Sequence, residues 1–146
     1  MGTVRLETEV LVVGGGAAGL RAALAAAEAG SRVLLLNKGP VARSGITLTA
    51  AGGMQAPLHP EDSCELFLAD TLRCGYEIAD KTLAWTLATE AAGEVREMER
   101  YGVKFVRDER GELALGRFPG QSQAREMCVK GGGVGLAAEG HAAWKR

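Results

Sequence analysis

The sequence predicts an α/β fold that opens on a βαβ unit, and three observations predict it. An apolar run, Val10-Leu11-Val12-Val13, ends on Gly14-Gly15-Gly16-Ala17-Ala18-Gly19, which sets Gly14, Gly16 and Gly19 in G-x-G-x-x-G register. Residues Ala17 to Ala29 then read as a helix that Gly30 stops. Ser31 to Leu36 follows as a second apolar strand. From Glu9 to Asn37 the unit has the length of about 30 residues that a dinucleotide-binding βαβ unit requires. Gly14 permits the tight turn, Gly16 lets a pyrophosphate approach the backbone, and Gly19 lets helix and strand pack closely. The helix start adds unpaired N–H groups and a positive dipole end. The opening is therefore Rossmann-like.

Residues 38–60 are rich in Gly, Thr, Ser and Pro and read as a long loop with turns around Gly45 and Gly52-Gly53. Loops of that length inside a domain tend to be functional. Pro60-Glu61-Asp62 reads as a helix start, with the helix running to about Arg73 before Gly75. Asp80 is the expected N-cap of a helix from Lys81 to Tyr101, stopped by Gly102. Leu83, Leu87, Ala91, Val95 and Met98 recur at three- and four-residue spacing, so that face is expected to be buried. Val103–Val106 and Glu112–Leu115 read as short strands about an Asp108-Glu109-Arg110-Gly111 hairpin. Residues 116–135 return to loop chemistry, and Ala137 to Arg146 carries a weak helical signal.

The chain has 146 residues, which suits one domain, and 47% of them are hydrophobic, enough for a core. A net charge of −1 gives no electrostatic basis for binding nucleic acid or an anionic membrane. Cys64, Cys74 and Cys128 form no C-x-x-C pair, so neither a metal site nor a disulfide framework is expected. No run of about 18 apolar residues offers a membrane span, and no signal-peptide core precedes the first strand. A cytoplasmic setting is expected. His59 and His141 read as solvated residues without a role.

Beyond the glycine turn, Leu36-Asn37-Lys38-Gly39, Arg43-Ser44-Gly45-Ile46-Thr47 and Ala50-Ala51-Gly52-Gly53-Met54 resemble the flavoprotein subunits of succinate dehydrogenase and fumarate reductase. The resemblance extends through Pro60-Glu61-Asp62-Ser63, Met98-Glu99-Arg100-Tyr101-Gly102-Val103 and Phe118-Pro119-Gly120-Gln121-Ser122. L-aspartate oxidase and adenylylsulfate reductase belong to the same superfamily. The resemblance implies FAD as cofactor and hydride transfer between a dicarboxylate and flavin N5. It implies an FAD-binding set of Gly14, Gly15, Gly16, Ala17, Ala18, Gly19, Asn37, Lys38, Ser44, Gly45, Thr49, Ala51, Gly52 and Gly53. It also implies a substrate-facing set of Phe118, Gln121 and Ser122, with an iron–sulfur subunit as electron partner. The loop chemistry agrees, since Ser and Thr hydroxyls and backbone N–H groups suit a pyrophosphate and a flavin edge. Gly52-Gly53 lets the chain pass against a flat ring where a Cβ would clash.

The chain departs from the family pattern in four ways. Asn37 stands where many dinucleotide folds carry an acid for the ribose, and so implies a weaker ribose contact. Respiratory members attach FAD through a loop histidine, and here Gly45 or Ile46 occupies that place, which implies non-covalent FAD. Phe118 stands where aspartate oxidases carry a glutamate, which points to the succinate/fumarate branch. Family members are several times longer, so residues 1–146 are expected to be the N-terminal portion of an FAD-binding domain. A capping domain and a C-terminal return segment would lie outside it, and the chain alone would not turn over substrate. It would lie peripheral to a membrane, if at all, through a partner complex. The alternative is a truncated, catalytically inactive flavin-binding or interaction module. An NAD-dependent dehydrogenase fits less well, because no alternating strand–helix units follow the second strand.

Overall fold

Strand β1 (Val10–Val13) and strand β2 (Val33–Leu36) pair in parallel, from Val10 opposite Val33 to Val13 opposite Leu36. Helix α1 (Ala17–Glu28) crosses between them and packs on both. Its end is a Schellman motif: Gly30 N–H reaches Ala27 O, Ser31 N–H reaches Ala26 O, and Gly30 takes φ +87°. The βαβ expectation holds element by element. The structure is a computed structural model and describes residues 3–41, 43, 45–50 and 53–131. Leu11, Val13 and Leu36 remain exposed on these two strands.

The stretch expected to be one long loop carries two short elements. Helix α2 (Ile46–Thr49) makes a single turn, and strand β3 (Gly53–Gln55) pairs antiparallel with strand β4 (Glu126–Cys128). β4 falls where the sequence suggested loop. Each strand is three residues long, too short for an alternation to register, and the partners lie far apart in the chain.

Helix α3 (Cys64–Cys74) starts later than Pro60. Ser63 is its N-cap, accepting from Leu66 N–H at 3.1 Å. Pro60 to Asp62 instead form a turn in which Asp62 N–H donates to His59 O and Glu61 N–H to His59 Nδ1. Helix α4 (Lys81–Arg100) begins as expected, with Asp80 accepting from Thr82 and Leu83 N–H at 2.8 and 3.0 Å. Gly102 follows at φ +99°.

The core gathers Ala56, Val95, Val103, Phe105, Met127 and Val129, with Met54, Leu58, Ala91 and Met98 packed on it. The lower half of the expected α4 stripe therefore faces inward. The upper half does not: Leu83 is 69% and Leu87 50% exposed, while Ala84 and Ala88 are buried. α3 packs on α4, and small residues permit that close approach, so the inward face shifts by one position. The hairpin turn at Asp108–Gly111 forms, with Asp108 N–H donating to Glu112 O and Gly111 N–H to Asp108 O. Its arms form isolated bridges rather than two strands: Arg107 pairs with Leu113 across the hairpin, while Phe105 pairs with Val129 and Gly116 with Glu126. The weak helix expected from 137 lies outside the described residues.

Candidate cofactor site

The glycine turn is built by three different constraints. Gly14 takes φ +112° and its N–H donates to Leu36 O at 2.8 Å, so the requirement there is the backbone angle, and a Cβ would meet nothing within 4 Å. At Gly19 a Cβ would lie 1.9 Å from Gly14 O and 3.5 Å from Val12 Cγ1, so helix and turn touch backbone to backbone. Gly16 is the N-cap of α1 in extended geometry, and no side chain caps the helix from that position. A Cβ on Gly16 would meet Thr47 Oγ1 at 3.4 Å and no other atom that close. The first helical hydrogen bond is Leu20 N–H to Gly16 O, so the N–H groups before it point past the helix end.

Two side chains brace this turn. Asn37 Oδ1 accepts from Gly15 N–H at 3.1 Å while its Nδ2 donates to Gly39 O at 2.9 Å. The amide joins the glycine turn to the chain leaving β2. Thr47 Oγ1 accepts from Ala17 N–H at 3.1 Å and places α2 across the start of α1. Thr47 is absent from the residue set implied by the sequence. Its hydroxyl-rich surroundings were a signal, but only the α2 turn decides which threonine reaches the helix. Thr49 turns back instead, donating to Ile46 O at 3.0 Å. Ala17, Ala18, Lys38, Gly45 and Gly53 are exposed. A Cβ at Gly53 would lie 2.5 Å from Glu126 Oε1. Ser44, Ala51 and Gly52 lie outside the described residues.

The Phe118–Ser122 segment belongs to a second cluster, centred on Arg125, whose side chain is fully buried. Its Nε and Nη2 grip Asp62 at 2.6 and 2.7 Å, its Nη1 meets Asp70 at 2.6 Å, and its guanidinium lies 4.9 Å from the Phe67 ring. Asp70 also accepts from Ser122 N–H and Oγ, both at 2.7 Å, and from Arg73. Arg73 Nη2 reaches Gly120 O at 2.6 Å. Gln121 Oε1 accepts from Phe118 N–H at 3.0 Å and closes the loop on itself. Gln121 Oε1 and Ser122 Oγ are thus engaged within the chain, while Phe118 is 47% exposed. Burial pushes the Asp70 carboxyl up, but the hydrogen bonds from Arg125, Ser122 and Arg73 outweigh it and hold it well below the usual carboxylate range. Arg125 is raised, first by its hydrogen bond to Asp62, with burial opposing and Asp70 adding. Phe118, Gln121, Asp70, Cys74 and Gln55 border a cavity of about 290 Å³.

A family model described as FAD binding domain matches residues 9–145. The chain belongs to this FAD-binding family. The flavoprotein chain is 38% identical over 132 residues to a fumarate reductase (CoM/CoB) subunit of Methanothermobacter marburgensis, covering 88% of this chain and 24% of that protein. It is 34% identical over 127 residues to the L-aspartate oxidase of Agrobacterium fabrum, covering 87% and 24%. The Mycobacterium smegmatis Sdh1 complex superposes at a TM-score of 0.86 with 31% identity, over 93% of this chain and 23% of that one. An E. coli quinol fumarate reductase gives 0.86 at 27% identity, over 93% and 24%. The flavoprotein chain thus spans about a quarter of the length of these relatives. The α/β fold and the family resemblance read from the sequence both stand.

The turn fits the family's FAD. Only Thr47 Oγ1 comes within 4 Å of the space a Cβ at Gly16 would fill, and while that hydroxyl takes the Ala17 N–H, the next N–H groups of the α1 terminus lie beside it. Gly45 and Ile46 carry no nucleophile for a flavin bond. Among the described residues no cluster of His, Cys, Asp or Glu could hold a metal, and no helix is long and apolar enough to cross a membrane.

Proposed function

We propose that this chain binds FAD non-covalently at the Gly14–Gly19 turn, as part of a flavoprotein oxidoreductase of the succinate/fumarate type. The observation that carries this reading is the helix start at Gly16-Ala17, where glycine leaves the Cβ space open and only the Thr47 hydroxyl approaches it. The N–H groups of α1 would hold the pyrophosphate, and the positive dipole end would favour its charge. Asn37 would face the adenosine ribose. Lys38, Ser44, Gly45, Thr49 and the Ala51–Gly53 passage would follow the cofactor toward its ring. When bound, FAD supplies the hydride acceptor and donor. Phe118 would lie against the carbon skeleton of a dicarboxylate and keep water from it. An iron–sulfur subunit is the proposed electron partner, supported by the likeness to the Sdh1 complex.

The test is a titration of the purified chain with FAD, followed by absorbance and by flavin fluorescence quenching. Binding is expected, with complete release of flavin into the supernatant on acid precipitation. Gly16→Val should abolish it, because a branched side chain fills the pyrophosphate's space. Flavin that stays in the acid pellet overturns the non-covalent reading. Unchanged binding by the valine variant overturns the site. A second reading, a flavin-binding module without turnover, is favoured by the commitment of Gln121 and Ser122 to internal hydrogen bonds. Succinate-dependent dye reduction, assayed with the remaining family domains present, separates the two.

A further inference from the structure

α1 carries the glycine turn at its start, and two polar attachments join its flank to α4. Arg21, one turn beyond Ala17, grips Glu94 with both arms: Nε to Oε2 at 2.8 Å and Nη2 to Oε1 at 3.1 Å. Seven residues further along α1, Glu28 Oε1 accepts from Arg100 Nη2 at 2.7 Å and from Tyr101 OH at 2.8 Å. Tyr101 follows Glu94 by the same seven residues. Seven residues are two helical turns, about 10 Å of axis, so matched steps on both helices hold them in one parallel register. Two attachments at that separation fix slide and rotation, which a single ion pair cannot do.

Glu94 also lies where α4 meets β3. With Glu90, Ala91, Leu87 and Thr86 of α4 and Met54 and Gln55 of β3, it borders a cavity of about 290 Å³. The Arg21–Glu94 pair therefore ties the helix that starts at the glycine turn to the part of α4 against which β3 lies. The pyrophosphate turn and the Gly53 passage belong to different sheets, β1–β2 and β3–β4. One extended cofactor needs both at a fixed separation.

We propose that Glu94 and Glu28 are positioning residues for FAD, clamping α1 to α4 so that the glycine turn and the start of β3 face one cofactor together. This rests on the FAD reading above. Both pairs are partly exposed, and such pairs add little to global stability. Their effect belongs in cofactor affinity, since a bidentate arginine–carboxylate pair specifies geometry as well as energy.

The experiment compares FAD titrations and thermal melts of the unaltered chain, Glu94→Gln, Glu28→Gln and the double variant. Each single change should weaken FAD binding by about fivefold, the upper range for a partly exposed pair, and the double change by more. Melting of the FAD-free chain should move little. The visible circular dichroism of bound flavin should change at saturation in the double variant, reporting an altered setting of the ring. The charge exchange Arg21→Glu with Glu94→Arg should recover affinity that Glu94→Gln loses. Unchanged affinity and dichroism in the double variant overturn the proposal. So does a charge exchange that melts normally and binds no better than Glu94→Gln. An unaltered chain that binds no FAD overturns the site reading, and this proposal with it.

Discussion

Asp70→Asn tests how the 118–122 loop is held. The carboxylate collects four hydrogen bonds: Arg125 Nη1 at 2.6 Å, Ser122 N–H and Oγ at 2.7 Å each, and one from Arg73. Asparagine keeps the shape but offers one oxygen, and its amide hydrogens face cationic donors. Arg125 is fully buried and would keep only Asp62 as counter-ion. Breaking one partnership of a buried charge costs about 3–5 kcal/mol. At the usual unfolding entropy per residue, a chain of this size loses about 3 °C for each kcal/mol, so Tm should fall by roughly 10–15 °C. Urea unfolding read by far-UV circular dichroism and calorimetry would measure it. The difference has a sign in pH. Asp70 is lowered in the folded state, so its contribution is complete above the unfolded carboxyl pKa of about 4 and is lost progressively as pH falls further. The gap between the native chain and Asp70→Asn should therefore close on acidification below about pH 4. A loss under about 1 kcal/mol at neutral pH, or a gap that stays constant down to about pH 2, would refute the network's role.

Gly19→Ala should cost more than about 3 kcal/mol and remove FAD binding, because its Cβ meets a backbone oxygen that no rotamer can move. Gly14→Ala meets no atom and should cost only the strain of its angle, about 1–3 kcal/mol, so urea midpoints should rank the two in that order. Thr47→Val removes the acceptor for Ala17 N–H and should cost about 1 kcal/mol while weakening FAD, with Thr47→Ser restoring both in a titration. Phe118→Leu in an intact homologue should lower kcat/KM for the dicarboxylate by about 1–3 kcal/mol of transition-state stabilisation at unchanged flavin content. A normal kcat/KM with a lowered Tm would make that ring a packing residue.

The sequence disclosed what is local and hid what is long-range. The βαβ unit was legible because its constraints lie within neighbouring residues: a close helix–turn approach at Gly19, a left-handed angle at Gly14, and an apolar strand on either side. The caps at Asp80 and Gly102 were legible for the same reason. β3 and β4 were not, since three-residue strands find each other only in the folded chain. The α4 stripe misled at Leu83 and Leu87 because packing on α3 chose the alanines beside them. The Arg125 cluster did leave a trace. Arg125, Met127 and Val129 alternate inward, so the arginine occupies a core position of an alternating segment, and Asp70 follows buried Phe67 by three residues on α3. A charge at an apolar position calls for a buried partner of opposite sign, and the two anomalies answer each other. Together they fasten the loop bearing Phe118 to α3, as Arg21 and Glu94 fasten the glycine turn to α4. In both places an arginine pair, buried or bidentate, decides where a glycine turn or an exposed ring stands.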